Sequence, residues 1–161
     1  MDNYIKVNFD AVFIQNSRES FSGVVCRDGE GFVVAAGILQ HHNVGDAFVA
    51  EAMAYLQAVQ LVREAGFLNI IVEGDSLTVI RKLRTSIKDS SITGPIVYDN
   101  KEASKLFSSI SFNHVRREAN KVAHELAKEG RNFHCPRFWI EEAPQAVLEL
   151  AGLERPSTIL H

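Results

Sequence analysis

The chain has 161 residues, enough for one domain that buries roughly two-thirds of its unfolded surface. Hydrophobic residues make up 46% and charged residues 23%, ordinary for a soluble globular protein, and no wholly apolar stretch approaches a membrane span. A net charge of −3 excludes a globally basic nucleic-acid binder, so any such binding must use a local basic face.

The N-terminus MDNYIKVNFD goes straight into a strand pattern, with no basic and apolar leader. Tyr4 to Phe13 alternates, placing Ile5, Val7 and Phe9 on one face and Lys6, Asn8 and Asp10 on the other. Residues 20–27 (SFSGVVCR) and 32–40 (FVVAAGILQ) give two more strands, joined by DGEG, a tight hairpin signal. Asp46 can N-cap a long helix running to Glu64 or Ala65, with Gly66 stopping it. NIIVEGD (69–75) is short, β-branched and apolar, like a strand covered on both faces. Ser76 can cap a short helix through about Leu83. After the polar loop TSIKDSSIT, Gly94-Pro95 opens another helix, phased by Ile96, Asn100, Ala103 and Phe107. ISFNHV (110–115) is a fifth strand, and Asn120 caps a helix ending at Gly130.

The expected division is a domain over residues 1–131 and a C-terminal extension over 132–161. The extension mixes proline with Phe138, Trp139, Ile140, Val147, Leu148 and Leu150, and is expected to pack Trp139 and one short helix on the domain or on a partner. Cys26 and Cys135 are far apart and match no metal spacing. That fits reduced thiols in a cytoplasmic or nuclear protein, with one disulfide left open.

The order β-β-β-α-β-α-α-β-α is an α/β pattern whose first three strands form a meander. A right-handed crossover through the long helix brings strand four parallel to strands one and three. Ligands in such sheets gather at the carboxyl ends of the parallel strands, where Asp10 and Asp75 both fall. Asp10 precedes Ala11, Val12 and Phe13, where an acid is not otherwise expected, although a turn aspartate reads the same way. Asp75, before Ser76, has helix capping as its alternative role. Glu51 is the only acid in AFVAEAMAYLQAVQLV, among small alanines that let the helix lie close to the sheet; a surface glutamate is the other reading. If the three acids converge, they cannot all stay ionised unaided, and hard oxygen ligands select magnesium or manganese.

The segments KVNFDA, FSGVVCRDGEG, AEAMAYLQAVQLVREAG, IIVEGDS and HVRREANKVAHELA, in this order over residues 5–131, resemble the ribonuclease H-like domains. The resemblance is closest to the reverse-transcriptase-like subgroup abundant in plants. It implies an α/β RNase H-like fold: a five-stranded mixed sheet, order 3-2-1-4-5, flanked by helices. It also implies that Asp10 and Asp75 lie on neighbouring strands with Glu51 leaning over them. With a fourth acid they would hold two divalent ions, Mg2+ or Mn2+, that cleave the RNA strand of an RNA–DNA hybrid.

The family's fourth acid sits four residues after the capping asparagine, where this chain has His124. Neutral imidazole can ligate manganese but suits magnesium less well. A partly exposed helix histidine beside Glu125 and Lys128 is the alternative. His114 matches the family's auxiliary histidine for proton transfer or product release, against a solvent-facing histidine at a strand end. Ala11 stands where the family usually has glycine, and its methyl would crowd the backbone beside metal or substrate.

Arg116, Arg117 and Lys121, with Arg81, Lys82, Arg84 and Lys88, are expected to hold hybrid phosphates without reading sequence. The expected activity is therefore metal-dependent endonucleolytic cleavage of RNA–DNA hybrids, at a level reduced by His124 and Ala11. The alternative is a catalytically silent module of the same fold that binds nucleic acid or a protein partner. An unrelated α/β ligand-binding domain is disfavoured by the lack of a Gly-rich phosphate loop.

Overall fold

In the computed structural model, which describes residues 4–85, 94–132, 136–141 and 143–155, β1 (Ile5–Ile14) is an inner strand of a mixed sheet. It pairs antiparallel with β2 (Glu19–Arg27), which pairs antiparallel with β3 (Val33–His41). The turn between them is held by Asp28, whose Oδ1 accepts from the amides of Glu30 and Phe32. On its other edge β1 pairs parallel with β4 (Asn69–Gly74), and β4 with β5 (Ser109–His114). The expected order is present as β3-β2-β1-β4-β5.

The sheet nevertheless has six strands, not five. β6 (Arg137–Ile140) adds antiparallel to the outer edge of β3, giving the order β5-β4-β1-β2-β3-β6. Four residues of mixed polarity carry too little alternation to announce a strand. Ala35, Ala36 and Gly37, the small residues opposite, let Phe138 and Trp139 lie against the sheet.

One face of the sheet is covered by α1 (Ala47–Glu64), α2 (Leu77–Arg84) and α3 (Gly94–Ser104). Asp46 caps α1, its Oδ1 accepting from Val49 N at 2.9 Å, and Gly66 follows with a φ of 88° that only glycine adopts cheaply. Phe9, Tyr55, Val59, Ile70 and Val72 fill this core, each large side chain worth about 2–3 kcal/mol of burial. The other face is covered by α4 (Lys121–Lys128) and α5 (Gln145–Glu154), through Val25, Ile38, Leu126 and Val147. Trp139 is half-buried against this second core.

This layering covers part of the polar face of β1: Asn8 and Asp10 are wholly buried, because α4 and the 3-10 turn Arg117–Asn120 lie over them, while Lys6 stays exposed. Of the residues expected to phase α3, Asn100 and Phe107 are buried and Ala103 packs against the core; Ile96 is only partly buried, and Val97 and Ser104 are buried as well. Among the described residues no helix is long and apolar enough to cross a membrane. Cys26 is buried and its thiol is pushed up to about 12 by desolvation, so it stays protonated; Cys135 and Lys88 lie outside the described residues.

Candidate metal centre

Asp10 lies opposite Gly23 of β2. That glycine lets α4 sit flush on the sheet, since a Cβ there would come within 2.3 Å of Ala123 O and 2.5 Å of Ala127 N. The close approach has two effects. It buries Asp10, and it brings the α4 residue His124 over it: His124 Nδ1 is 2.7 Å from Asp10 Oδ2.

Glu51 comes from the first turns of α1, among Ala50, Ala52 and Ala54, all buried. These small side chains bring the helix near the sheet, so that Glu51 Oε1 accepts the amide hydrogen of Ala11 at 3.1 Å. The amide is available because parallel pairing of β1 with β4 ends at Phe9 and Gly74. Asp75 follows Gly74 directly, and its side chain is only 8% exposed. It does not cap α2; Ser76 does, accepting from Val79 N.

One carboxylate oxygen from each of Asp10, Glu51 and Asp75 falls within 4.8 Å of the other two. Asp10 Oδ1, Glu51 Oε2 and Asp75 Oδ2 are each buried without a hydrogen-bond partner. Burial, followed by the closeness of the Asp10 carboxyl and the charges of Asp10 and Asp75, pushes the Glu51 carboxyl up to about 10. Burial and then the Asp10 charge also raise Asp75, against the opposing pull of Arg117. Three acids, from β1, α1 and the loop after β4, thus converge with one oxygen of each left without a protein donor. Such a set of hard oxygens fits a divalent cation such as magnesium or manganese.

The remaining predicted residues divide. His114 is exposed at the end of β5, in register with Gly74, one residue before Asp75. Arg117 reaches the cluster, its Nε 3.6 Å from Asp75 Oδ2, while Arg116 is exposed beside it. Lys121 instead faces a groove between α4 and α5 that it lines with Glu125, Glu129 and Leu150. Arg84 is exposed, yet its guanidinium donates to the Phe112 carbonyl, a structural tie between α2 and β5. Lys82 lies 5.9 Å from the ring of Phe48, and Arg81 is exposed on α2.

Asn120 corrects the expectation of a helix cap. Its side chain makes no cap bond and is 1% exposed. Its Nδ2 donates to the carbonyl of Phe9 at 2.9 Å, its Oδ1 accepts from Asn8 Nδ2 at 3.0 Å, and its side chain favours the charged form of the neighbouring Asp75 carboxylate. Asn8 and Arg27 were not anticipated here. Their signal is positional: Asn8 shares its strand face with Asp10, and Arg27 ends a strand that otherwise carries no cation.

Residues 8–130 match the family described as reverse transcriptase-like. No curated protein matches the sequence. Among solved structures, RNase H1 from the halophilic archaeon Halobacterium salinarum NRC-1 is 26% identical with a TM-score of 0.74, over 81% of this chain and 98% of that one. LC11-RNase H1, isolated from compost by a metagenomic approach, is 23% identical with a TM-score of 0.73, over 81% and 97% of the two chains. A structure of LC11-RNase H1 in complex with an RNA/DNA hybrid matches at 21% identity and a TM-score of 0.70, over 80% and 96%.

Proposed function

The chain belongs to the reverse transcriptase-like family, and from that premise we propose that it is a divalent-metal-dependent endonuclease hydrolysing the RNA strand of RNA–DNA hybrids. The observation that carries the reading is the meeting of Asp10, Glu51 and Asp75, each with a buried oxygen left without a donor. Buried charges are normally paired inside the protein. Here Arg117 and His124 leave one oxygen of each acid open, and those lone pairs are offered to a cation from solution.

Asp10, Glu51 and Asp75 would hold the ions, magnesium or manganese. When bound, the ions supply activation of the attacking water and stabilisation of the leaving oxygen. The chain's own residues supply the geometry. The Ala11 amide orients Glu51, Asn120 orients Asp75, and His124 holds Asp10 through Oδ2. His124 is then the fourth position, and its imidazole nitrogen favours manganese over magnesium. His114, exposed beside the Gly74–Asp75 peptide, serves proton transfer or product release. Arg116 and Arg117 grip phosphate next to the carboxylates, with Arg81 and Lys82 of α2 as outer contacts. The reading agrees with a cytoplasmic or nuclear protein, and the structure of LC11-RNase H1 in complex with an RNA/DNA hybrid supports the substrate class.

The test is a labelled RNA–DNA hybrid incubated with manganese and, separately, with magnesium. Cleavage stronger in manganese, and lost by at least about a hundredfold in Asp10→Asn, is the expected result. Cleavage that survives Asp10→Asn overturns the proposal. One observation favours a second reading, a silent module that binds nucleic acid: Asp10 Oδ2 is already engaged by His124. Salt-dependent hybrid binding without cleavage in either metal would select it.

A further inference from the structure

We propose that Asn120, Asn8, Arg27 and Glu154 form a positioning relay, through which the C-terminal helix α5 sets the geometry of Asp10 and Asp75. The proposal rests on the nuclease reading for its consequence in catalysis, but not for the relay itself.

The links are direct. Glu154, near the end of α5, accepts from Arg27 Nη1 at 2.7 Å. Arg27 Nη2 donates to Asn8 Oδ1 at 3.0 Å. Asn8 Nδ2 donates to Asn120 Oδ1 at 3.0 Å and to Glu73 Oε1 at 3.1 Å. Asn120 ends the line on the Phe9 carbonyl, in the peptide bond that leads to Asp10, next to the Asp75 carboxylate whose charged form it favours. Arg27 is 8% exposed, and Asn8 and Asn120 are 0% and 1% exposed.

The relay has a polarity, and that separates it from ordinary packing. A guanidinium only donates, so Asn8 must turn its carbonyl oxygen towards Arg27. Its NH2 group then faces Asn120, which must present its own oxygen in return. Only with that orientation can the Asn120 NH2 group donate to the Phe9 carbonyl and favour the charge on Asp75. The charge on Arg27 therefore fixes which way two buried amides point, and Glu154 holds Arg27 in place. The rest of this helix end is seated independently: Arg155 lies 4.3 Å over the Phe32 ring.

Hydrogen exchange of the Asn8 and Asn120 side-chain NH2 groups, read by NMR on the full metal-free chain, tests the relay. Glu154→Gln is expected to raise both exchange rates about tenfold or more. Val147→Ala removes part of a buried α5 contact away from the relay, and is expected to lower Tm while leaving those rates within about twofold. On the hybrid in manganese, Glu154→Gln should lower kcat about three- to tenfold, with KM within about twofold. Unchanged exchange at Asn120 in Glu154→Gln, or an equal rise in Val147→Ala, overturns the relay. Altered exchange in a protein that cuts no hybrid at all would keep the relay and count against the nuclease reading alone.

Discussion

His124 Nδ1 meets Asp10 Oδ2 at 2.7 Å, joining the last helix of the family core to an inner strand at its most buried acid. The partner of Asp10 is therefore a side chain that can be neutral, in a position where the fold's relatives are expected to carry a carboxylate. His124→Asp adds a negative oxygen at that place. Magnesium-dependent cutting of the hybrid should then rise by about tenfold, at a cost of about 1–2 kcal/mol of metal-free stability from the added repulsion. Rates in magnesium and a urea midpoint in EDTA measure both; no gain in rate means that the fourth position does not limit the reaction.

The acid cluster makes metal-free stability depend on pH in an unusual direction. Glu51 is raised from 4.5 to about 10, so the folded chain keeps a proton that the unfolded chain gives up above 4.5. Stability is then lost as pH rises through that window, with one proton worth up to about 1.4 kcal/mol per pH unit. The raised Asp75 adds to the same slope at its lower end. Urea midpoints in EDTA at pH 6 and pH 8 should show the decline, and Glu51→Gln should flatten it. Equal slopes in the two proteins would rule out Glu51 as the source.

Divalent ions should reverse that loss. At pH 8, manganese at a concentration about 100 times its Kd should stabilise the chain by about 2.7 kcal/mol. Glu51→Gln and Asp10→Asn should remove most of the gain. A thermal-shift titration of the three proteins reads it directly, without a nucleic acid.

Gly23→Ala tests how the site is assembled. A Cβ at Gly23 meets backbone atoms of Ala123 and Ala127 rather than a side chain that can swing away. The helix must lift, at a cost of about 3 kcal/mol, and it carries His124 with it. Chemical denaturation should register the loss of stability, and cleavage should fall further than in a surface variant such as Lys128→Ala.

Arg117 is 65% exposed beside Asp75, and on the proposed reading it meets a phosphate rather than supporting the fold. Arg117→Ala should leave Tm within about 2 °C, weaken hybrid binding, and lower the steepness of its salt dependence by about one unit of slope. Arg84→Ala should do the opposite, lowering Tm through the lost tie to Phe112 with little effect on that slope. Binding titrations across salt concentrations separate the two arginines.

Much of this was legible in the residues. The three carboxylates betrayed themselves by sitting at strand ends or alone among alanines, and the caps at Asp46 and Ser76 by their place before apolar runs. The burial of Asn8 was not legible, because alternation marks two faces without saying what covers the second. Asn120 was misread as a cap because its spacing suits both roles, and only the position of Phe9 and Asp75 decides between them. Arg84 looked like its neighbours on paper, yet the carbonyl of Phe112 claims it. Six strands rather than five went unseen because β6 draws its order from the edge of β3, not from its own pattern.

That added strand bears on anyone who trims the polypeptide to its recognised homology. A fragment stopped at residue 131 would strip Ala35 to Ile38 of their outer neighbour, leaving a row of bare main-chain donors and acceptors flanked by small apolar groups. Such a rim invites other molecules to stitch themselves on. The shortened protein should clump in solution where the longer one stays dispersed.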